Sequence, residues 1–378
     1  MRVAFVNCWT MPWGVLNVLQ DLLVNSLRKH WPDAEIRLFT LISNFDEIEV
    51  PIPWKEGKFY KVKVVQTLPN WINKIFLYCT KRKIKVLSSI FDYRNLMVFY
   101  PELMKLLSRK IKAWKPDEIQ ISSFAIAKNI TPMAWVPTHL YLHSPMQYIW
   151  SHYEEYNKKL TGFKNRIFNR IVPRLRRWDK KYTSFSSVTC NSEYTKKLAE
   201  EIYWIKDAKI KYPKISDTYW FNGVAYKSMP YCVYVGRLVN FVRETGVIIR
   251  LFNELQLPLV VIGSWPDEAS LKAIAWDTII FTGWNPEGMQ DIVRDSAWLI
   301  NLTKESFWIG TVEALLMWVP VFWFSEWATS ELVDEKCWVL VDSKDMAVLK
   351  EWLREFLGKE WDRKEISERI REKLLKYK

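Results

Sequence analysis

The chain has 378 residues, 49% hydrophobic and 26% charged, with a formal net charge of +13. That length exceeds one ordinary core and suits two α/β domains, and the balance is that of a globular chain, not a disordered one. The longest apolar run, Ala314 to Phe324, contains Pro320 and is too short to span a bilayer.

In chain order, Met1-Arg2-Val3-Ala4-Phe5-Val6-Asn7 reads as a first strand (Arg2–Asn7) and not as a signal peptide. A helix follows over Leu16–Leu27, then a strand over Ile36–Leu41 and a helix over Pro101–Lys112. Strands at Glu118–Ser122, His139–Leu142 and Ser187–Asn191 lead to a helix over Ser192–Ile202. A second series has strands at Cys232–Val235, Leu259–Ile262, Thr278–Phe281, Leu299–Leu302, Val321–Phe324 and Val339–Asp342, with helices at Val247–Leu255 and Pro286–Asp295. Such alternation predicts parallel sheets covered by helices. The boundaries expected are 1–212 for a first Rossmann-like domain, 213–230 for a proline-bearing linker, 231–345 for a second domain and 346–378 for a helical tail. In open α/β sheets ligands sit at the carboxyl ends of the strands, so two such sheets facing each other would place chemistry in a cleft, with the tail packing back over the interface.

Between Lys158 and Lys181 basic residues far outnumber the single acid, Asp179. Leu160, Phe163, Ile167 and Ile171 recur there at helical spacing. This suits either an anionic membrane surface or a solvated helix whose apolar stripe packs on its own domain. No nucleic-acid motif accompanies the charge, so no nucleic-acid partner is expected. Five cysteines without a paired spacing and four histidines without ligand spacing predict buried thiols in a reducing, cytoplasmic compartment and no metal.

Glu305-Ser306-Phe307-Trp308-Ile309-Gly310-Thr311-Val312-Glu313 places two carboxylates around the start of an apolar helix. A helix N-terminus offers free N–H groups and a positive dipole end, which suits a diphosphate. Taken alone, the two glutamates could equally be capping and surface charge. The segment resembles the Glu-x7-Glu motif of family 4 glycosyltransferases, with Pro320-Val321 and Ser330-Glu331-Leu332-Val333 as its usual sequel. Further matches are Ser122-Ser123-Phe124-Ala125-Ile126-Ala127-Lys128, His143-Ser144-Pro145-Met146-Gln147-Tyr148-Ile149-Trp150, Leu175-Arg176-Arg177-Trp178-Asp179, Asn191-Ser192-Glu193-Tyr194 and Gly236-Arg237-Leu238-Val239. They cover nearly the whole chain and resemble most the mannosyltransferase-like branch of O-antigen and polysaccharide synthesis.

The resemblance implies the GT-B fold, two Rossmann-like domains facing across a cleft. It implies a retaining hexosyltransferase that moves a sugar, mannose from GDP-mannose as first candidate, to a glycan or lipid-linked acceptor. The cytoplasmic protein would sit peripherally at the inner face of the plasma membrane. Glu305 would hold hydroxyls of the transferred sugar, Glu313 the ribose, and Phe307, Trp308, Ile309 and Gly310 the phosphate. Arg237 would neutralise the departing diphosphate. His143 would line the cleft near the sugar, Gly283 and Trp284 would meet the base, and Gly14 would approach a ligand closely. The family's lysine five residues after the arginine is Val242 here, followed by Arg243. Either Arg243 takes over that charge or donor binding is weakened, which leaves a nucleotide-sugar-binding pseudoenzyme or scaffold as the alternative. No metal, cofactor or protein nucleophile is implied.

The chain has 22 Trp but 11 Gly, where usual composition would give about 26 Gly. Trp13, Trp265, Trp308, Trp318, Trp327 and Trp338, with Trp204 and Trp276, fall where turns or phosphate contact call for glycine, whereas Trp150 and Trp178 match tryptophans of the family. This predicts a gene in which UGA specifies glycine, translated with UGA as tryptophan.

Overall fold

The computed structural model describes residues 1–10, 15–43, 45–69, 71, 72, 74, 75, 78, 93–216, 219, 230–264, 266–284, 286–303, 305–307, 309–324, 328, 331, 338–341 and 343–377. The chain divides into two compact units, Met1–Asn191 with Thr195–Lys214, and Ser192–Tyr194 with Ile215–Lys378. Most of the expected linker lies outside the described residues.

In chain order the first unit has β1 (Arg2–Asn7), β2 (Trp9–Thr10), α1 (Val15–His30), β3 (Glu35–Thr40), β4 (Ile42–Ser43), β5 (Glu47–Pro51) and β6 (Phe59–Gln66). There follow α2 (Tyr100–Trp114), β7 (Glu118–Ser123), β8 (Thr138–Leu142), α3 (Tyr153–Lys159), α4 (Gly162–Asp179), β9 (Ser187–Cys190), α5 (Glu193–Tyr203) and β10 (Lys209–Ile210). Eight strands form one sheet in the order β10-β9-β8-β7-β1-β3-β6-β5, while β2 and β4 pair separately. All neighbours in the large sheet are parallel except β5 and β6. Val3, Ala4, Phe5 and Val6 of the central β1 are all fully buried, as a strand covered on both faces requires. Val18, Leu19, Leu23 and Leu27 give α1 its buried stripe.

The antiparallel β5–β6 pair has no counterpart in the sequence reading. Its signal was the alternation in Phe59-Tyr60-Lys61-Val62-Lys63-Val64, where Val62 and Val64 are buried and Lys61 and Lys63 exposed.

Along α4, Phe168, Val172, Leu175 and Asp179 are buried, while Phe163 is 75% and Ile167 37% exposed. Of the expected stripe, Leu160 and Ile171 are partly buried against the core and Phe163 and Ile167 are on the surface, so the buried face of α4 is a different one.

The second unit has β11 (Cys232–Val235), α6 (Asn240–Arg243), α7 (Thr245–Leu255), β12 (Leu259–Ile262), α8 (Glu268–Lys272), β13 (Ile279–Gly283), α9 (Pro286–Arg294) and β14 (Trp298–Asn301). It closes with α10 (Ile309–Leu316), β15 (Val321–Phe324), β16 (Trp338–Val341), α11 (Met346–Gly358) and α12 (Arg363–Lys376). Its six strands are parallel in the order β13-β12-β11-β14-β15-β16. The tail packs on this unit: Ile366, Ile370 and Leu374 of α12 are buried, and Ser367 Oγ donates to Leu316 O at 3.1 Å. Asp345 caps α11, its carboxylate accepting from the N–H of Ala347 and Val348.

No described helix is long and apolar enough to cross a membrane. Cys8, Cys190 and Cys232 are buried and free; Cys79 and Cys337 lie outside the described residues. Burial pushes the Cys8 thiol up to about 12, against hydrogen bonds from the N–H of Ile126 and Ala127.

Candidate functional site

In an open parallel sheet the crevice that binds ligands opens where the strand order reverses. In the second unit that point lies between β11 and β14, because β12 and β13 continue on one side and β15 and β16 on the other. The segments leaving these two strands carry most of the residues singled out by sequence. After β11 come Gly236 and the exposed Arg237, then α6 ending in Arg243. After β14 come Thr303, Glu305 and Phe307, then α10, which begins at Ile309 and Gly310.

The two sides meet in an ion pair between Arg243 Nη1 and Glu305 Oε1, with side-chain exposures of 10% and 16%. Backbone and side chains lock this geometry. Thr303 Oγ1 donates to Arg243 O at 3.1 Å, and Asn301 Oδ1 accepts from Thr303 N at 2.9 Å. Asn240, at the start of α6, accepts from Gly246 N at 2.7 Å. Gly263 shows how closely the loops pack: a Cβ there would lie 1.9 Å from Gly236 O, so glycine is required. Val242, at the position of the family's lysine, lies within α6, and the cation at this turn is Arg243.

Glu313 lies in the second turn of α10, and burial raises its carboxyl to about 7. Tyr219 is raised to about 12 by burial and then by the charge of Glu313. At the end of β13, Gly283 has φ +72° and Trp284 is 50% exposed. Gly14 and Trp308 lie outside the described residues. Within the same unit Glu331 accepts from the N–H of Glu193 (2.7 Å) and Tyr194 (2.5 Å), and Ser192 Oγ donates to Ser306 O at 2.8 Å. These contacts join three of the motifs quoted above.

The first unit reverses its strand order between β1 and β7. Asn7 and Ser122 stand opposite each other there, and His143 follows the adjacent β8. Ser122 Oγ and His143 Nε2 are 2.9 Å apart, and His143 N donates to Ser123 O at 2.8 Å. Burial lowers His143 to about 3, so its imidazole is neutral at ordinary pH.

The first unit also holds a buried polar network that sequence reading did not foresee. Lys128 Nζ pairs with Asp179 at 3.3 Å and donates to Asn129 Oδ1 at 2.7 Å. Asp179 also accepts from Asn129 Nδ2 (2.7 Å), Trp150 Nε1 (2.7 Å) and Tyr203 OH (2.6 Å). Burial lowers the Lys128 ammonium and Asp179 opposes the shift. Three motifs distant in sequence therefore share one carboxylate. Asn129 and Tyr203 lacked a motif to announce them. Among the described residues no three His, Cys, Asp or Glu side chains gather as a metal would need.

No protein-family profile matches the sequence, and no curated protein sequence does. Among solved structures the chain is similar to Anabaena HepE in complex with UDP and glucose, at 15% identity over 99% of each chain with a TM-score of 0.59. It is similar to WaaG, a glycosyltransferase involved in lipopolysaccharide biosynthesis, at 13% identity, covering 98% of this chain and 95% of that one, with a TM-score of 0.63. Sucrose-phosphate synthase from Thermosynechococcus elongatus aligns at 12% identity over 100% of this chain and 94% of its own, with a TM-score of 0.68. At these identities the likeness defines the fold. The chain has the GT-B fold, with two Rossmann-like units.

Proposed function

We propose that this protein is a retaining glycosyltransferase whose second unit binds a nucleotide-sugar donor at the β11–β14 crevice. The observation that carries the reading is the Arg243–Glu305 pair at the strand-order reversal, next to the N-terminus of α10. Free N–H groups of that helix suit a diphosphate. Arg237 and Arg243 supply the cationic charge that stabilises the leaving group as its negative charge develops. Glu305, oriented by Arg243, accepts hydroxyls of the transferred sugar, and Glu313 those of the ribose. Gly283 and Trp284 meet the base, and Phe307, Ile309 and Gly310 shape the phosphate site. His143, neutral and held by Ser122, serves the first unit's crevice as a hydrogen-bond partner and not as a charge. No side chain is assigned as nucleophile; the leaving phosphate takes the acceptor proton.

Mannose from GDP-mannose is the donor proposed first, from the motif resemblance. That HepE, solved in complex with UDP and glucose, neighbours this fold makes UDP-sugars the first comparison. The acceptor proposed is a glycan or lipid-linked saccharide in the cytoplasm. Exposed Phe163 and Ile167 beside Lys164, Arg166 and Arg170 on α4 support docking on an anionic membrane surface. A thermal-shift panel of nucleotide sugars, followed by transfer assays with anomer-resolved products, tests the assignment. Stabilisation without turnover would instead support a binding pseudoenzyme, and inversion would remove the retaining mechanism.

A further inference from the structure

Six non-glycine residues among those described have a positive φ, and three of them are tryptophan: Trp135 (+67°), Trp204 (+59°) and Trp318 (+70°). The others, Lys115, Glu244 and Gln256, have flexible polar side chains. For a bulky residue this conformation is an outlier, because its Cβ crowds the backbone.

Each tryptophan occupies a different turn whose geometry calls for glycine. At the end of α10, Val319 N donates to Ala314 O (3.0 Å) and Trp318 N to Leu315 O (3.1 Å). Those two bonds define a Schellman motif with Trp318 at the position where glycine is usual. At the end of α5, Trp204 N donates to Glu200 O at 2.9 Å, the bond of a left-handed cap, and Ile205 N donates to Ala199 O at 3.2 Å. In Met133-Ala134-Trp135-Val136, Val136 N donates to Met133 O at 3.3 Å. Trp135 is the third residue of that turn, and a positive φ there is the mark of a turn that prefers glycine.

The side chains do not compensate. Trp135 is fully exposed, and Trp204 is 65% exposed with its ring beside Lys180 Nζ at 4.7 Å. Trp318 buries its indole Nε1 without a hydrogen-bond partner. The contact it does make, Arg363 Nη1 to Trp318 O at 3.3 Å, uses the backbone and would survive in glycine. Trp150 differs: its Nε1 donates to the buried Asp179.

We propose that glycine is the native residue at positions Trp135, Trp204 and Trp318, and that these codons are UGA, read as glycine in the source cell. Of the positions suggested by sequence, Trp13, Trp265, Trp308 and Trp327 lie outside the described residues, and geometry narrows the rest. Trp276 has no positive φ and Trp338 begins the extended strand β16, so neither backbone demands glycine. Trp135 joins the set on structure alone. The proposal is independent of glycosyl transfer and stands or falls separately from it.

Peptide mass spectrometry of the protein purified from its own cells is the deciding measurement. Glycine in the peptides spanning the three positions is the expected result; tryptophan in them, or UGG codons in the gene, would overturn the proposal. A second measurement uses recombinant protein. Trp135→Gly, Trp204→Gly and Trp318→Gly should each raise the melting temperature by about 2–4 °C. Trp150→Gly should lower it, because it leaves a buried carboxylate short of a donor. A fall for all three of the first set would overturn the reading of these turns.

Discussion

At the residue scale, the Arg243–Glu305 pair is the most sensitive point of the candidate site. Both groups are nearly buried, so removing one strands the other's charge. Arg243→Ala should cost about 3 kcal/mol of stability and abolish measurable donor binding. Arg243→Lys should keep part of both. Denaturant unfolding with donor titration reads the two effects separately, and wild-type donor affinity in Arg243→Ala would remove Arg243 from the site.

Glu313 gives a pH dependence of fixed sign. Its carboxyl titrates at about 7 in the folded protein, against 4.5 for the ordinary group. The folded state therefore holds a proton that the unfolded chain has lost, and stability falls as pH rises from 4.5 to about 7. Donor affinity should move the other way, since the ionised carboxylate is the better acceptor for ribose hydroxyls. The donor KM should drop as pH rises through about 7, and Glu313→Gln should flatten that profile. His143 behaves oppositely in stability. Its folded value of about 3 lies below the ordinary 6.5, so the stability it lends is complete above 6.5 and is lost as pH falls toward 3. Glu313 was legible as the second glutamate of its motif and Tyr219 was not singled out; the proton affinities of both follow from burial, which no local pattern records.

At the scale of elements, the loop after β11 and the end of β12 approach so closely that Gly263→Ala should cost about 3 kcal/mol or more. The reason is the contact with Gly236 O, a backbone atom that cannot swing aside. Urea denaturation measures it, and near-neutral stability would mean the two loops can separate. For α4, Phe163→Ser with Ile167→Ser should weaken cosedimentation with anionic vesicles and leave the fold intact, because both side chains are on the surface. Raising salt should weaken binding of the unaltered protein as well. Binding that ignores both changes would leave α4 an ordinary basic surface. Helical spacing in the sequence showed that α4 is amphipathic, but not which of its faces is covered. The buried Phe168, Val172 and Leu175 are set by what the rest of the first unit brings against them.

At the scale of the whole molecule, a bound donor stabilises the native state by mass action. An amount near a hundredfold above Kd contributes about 2.7 kcal/mol. A shift confined to nucleotide sugars, with none from free hexoses, is the expected outcome; equal shifts for unrelated anions would point to a plain phosphate site.

What the sequence determined by itself is local in origin. Alternation of apolar runs marked Arg2–Asn7, Cys232–Val235, Leu259–Ile262 and Val321–Phe324 as strands at the observed bounds. The two-glutamate motif marked the start of α10, since caps, dipoles and period all act within a few residues. Tertiary structure decided the rest. The reversal of strand order between β11 and β14 sets Arg243 against Glu305 and against Thr303, sixty residues further along the chain. Asp179 similarly gathers Lys128, Asn129, Trp150 and Tyr203. Such pairings, and the proton affinities that burial imposes, depend on which distant segments share a dry interior. Trp135 marks the same limit in the backbone, because nothing in Met133-Ala134-Trp135-Val136 shows that the turn passes through positive φ until the chain is folded around it.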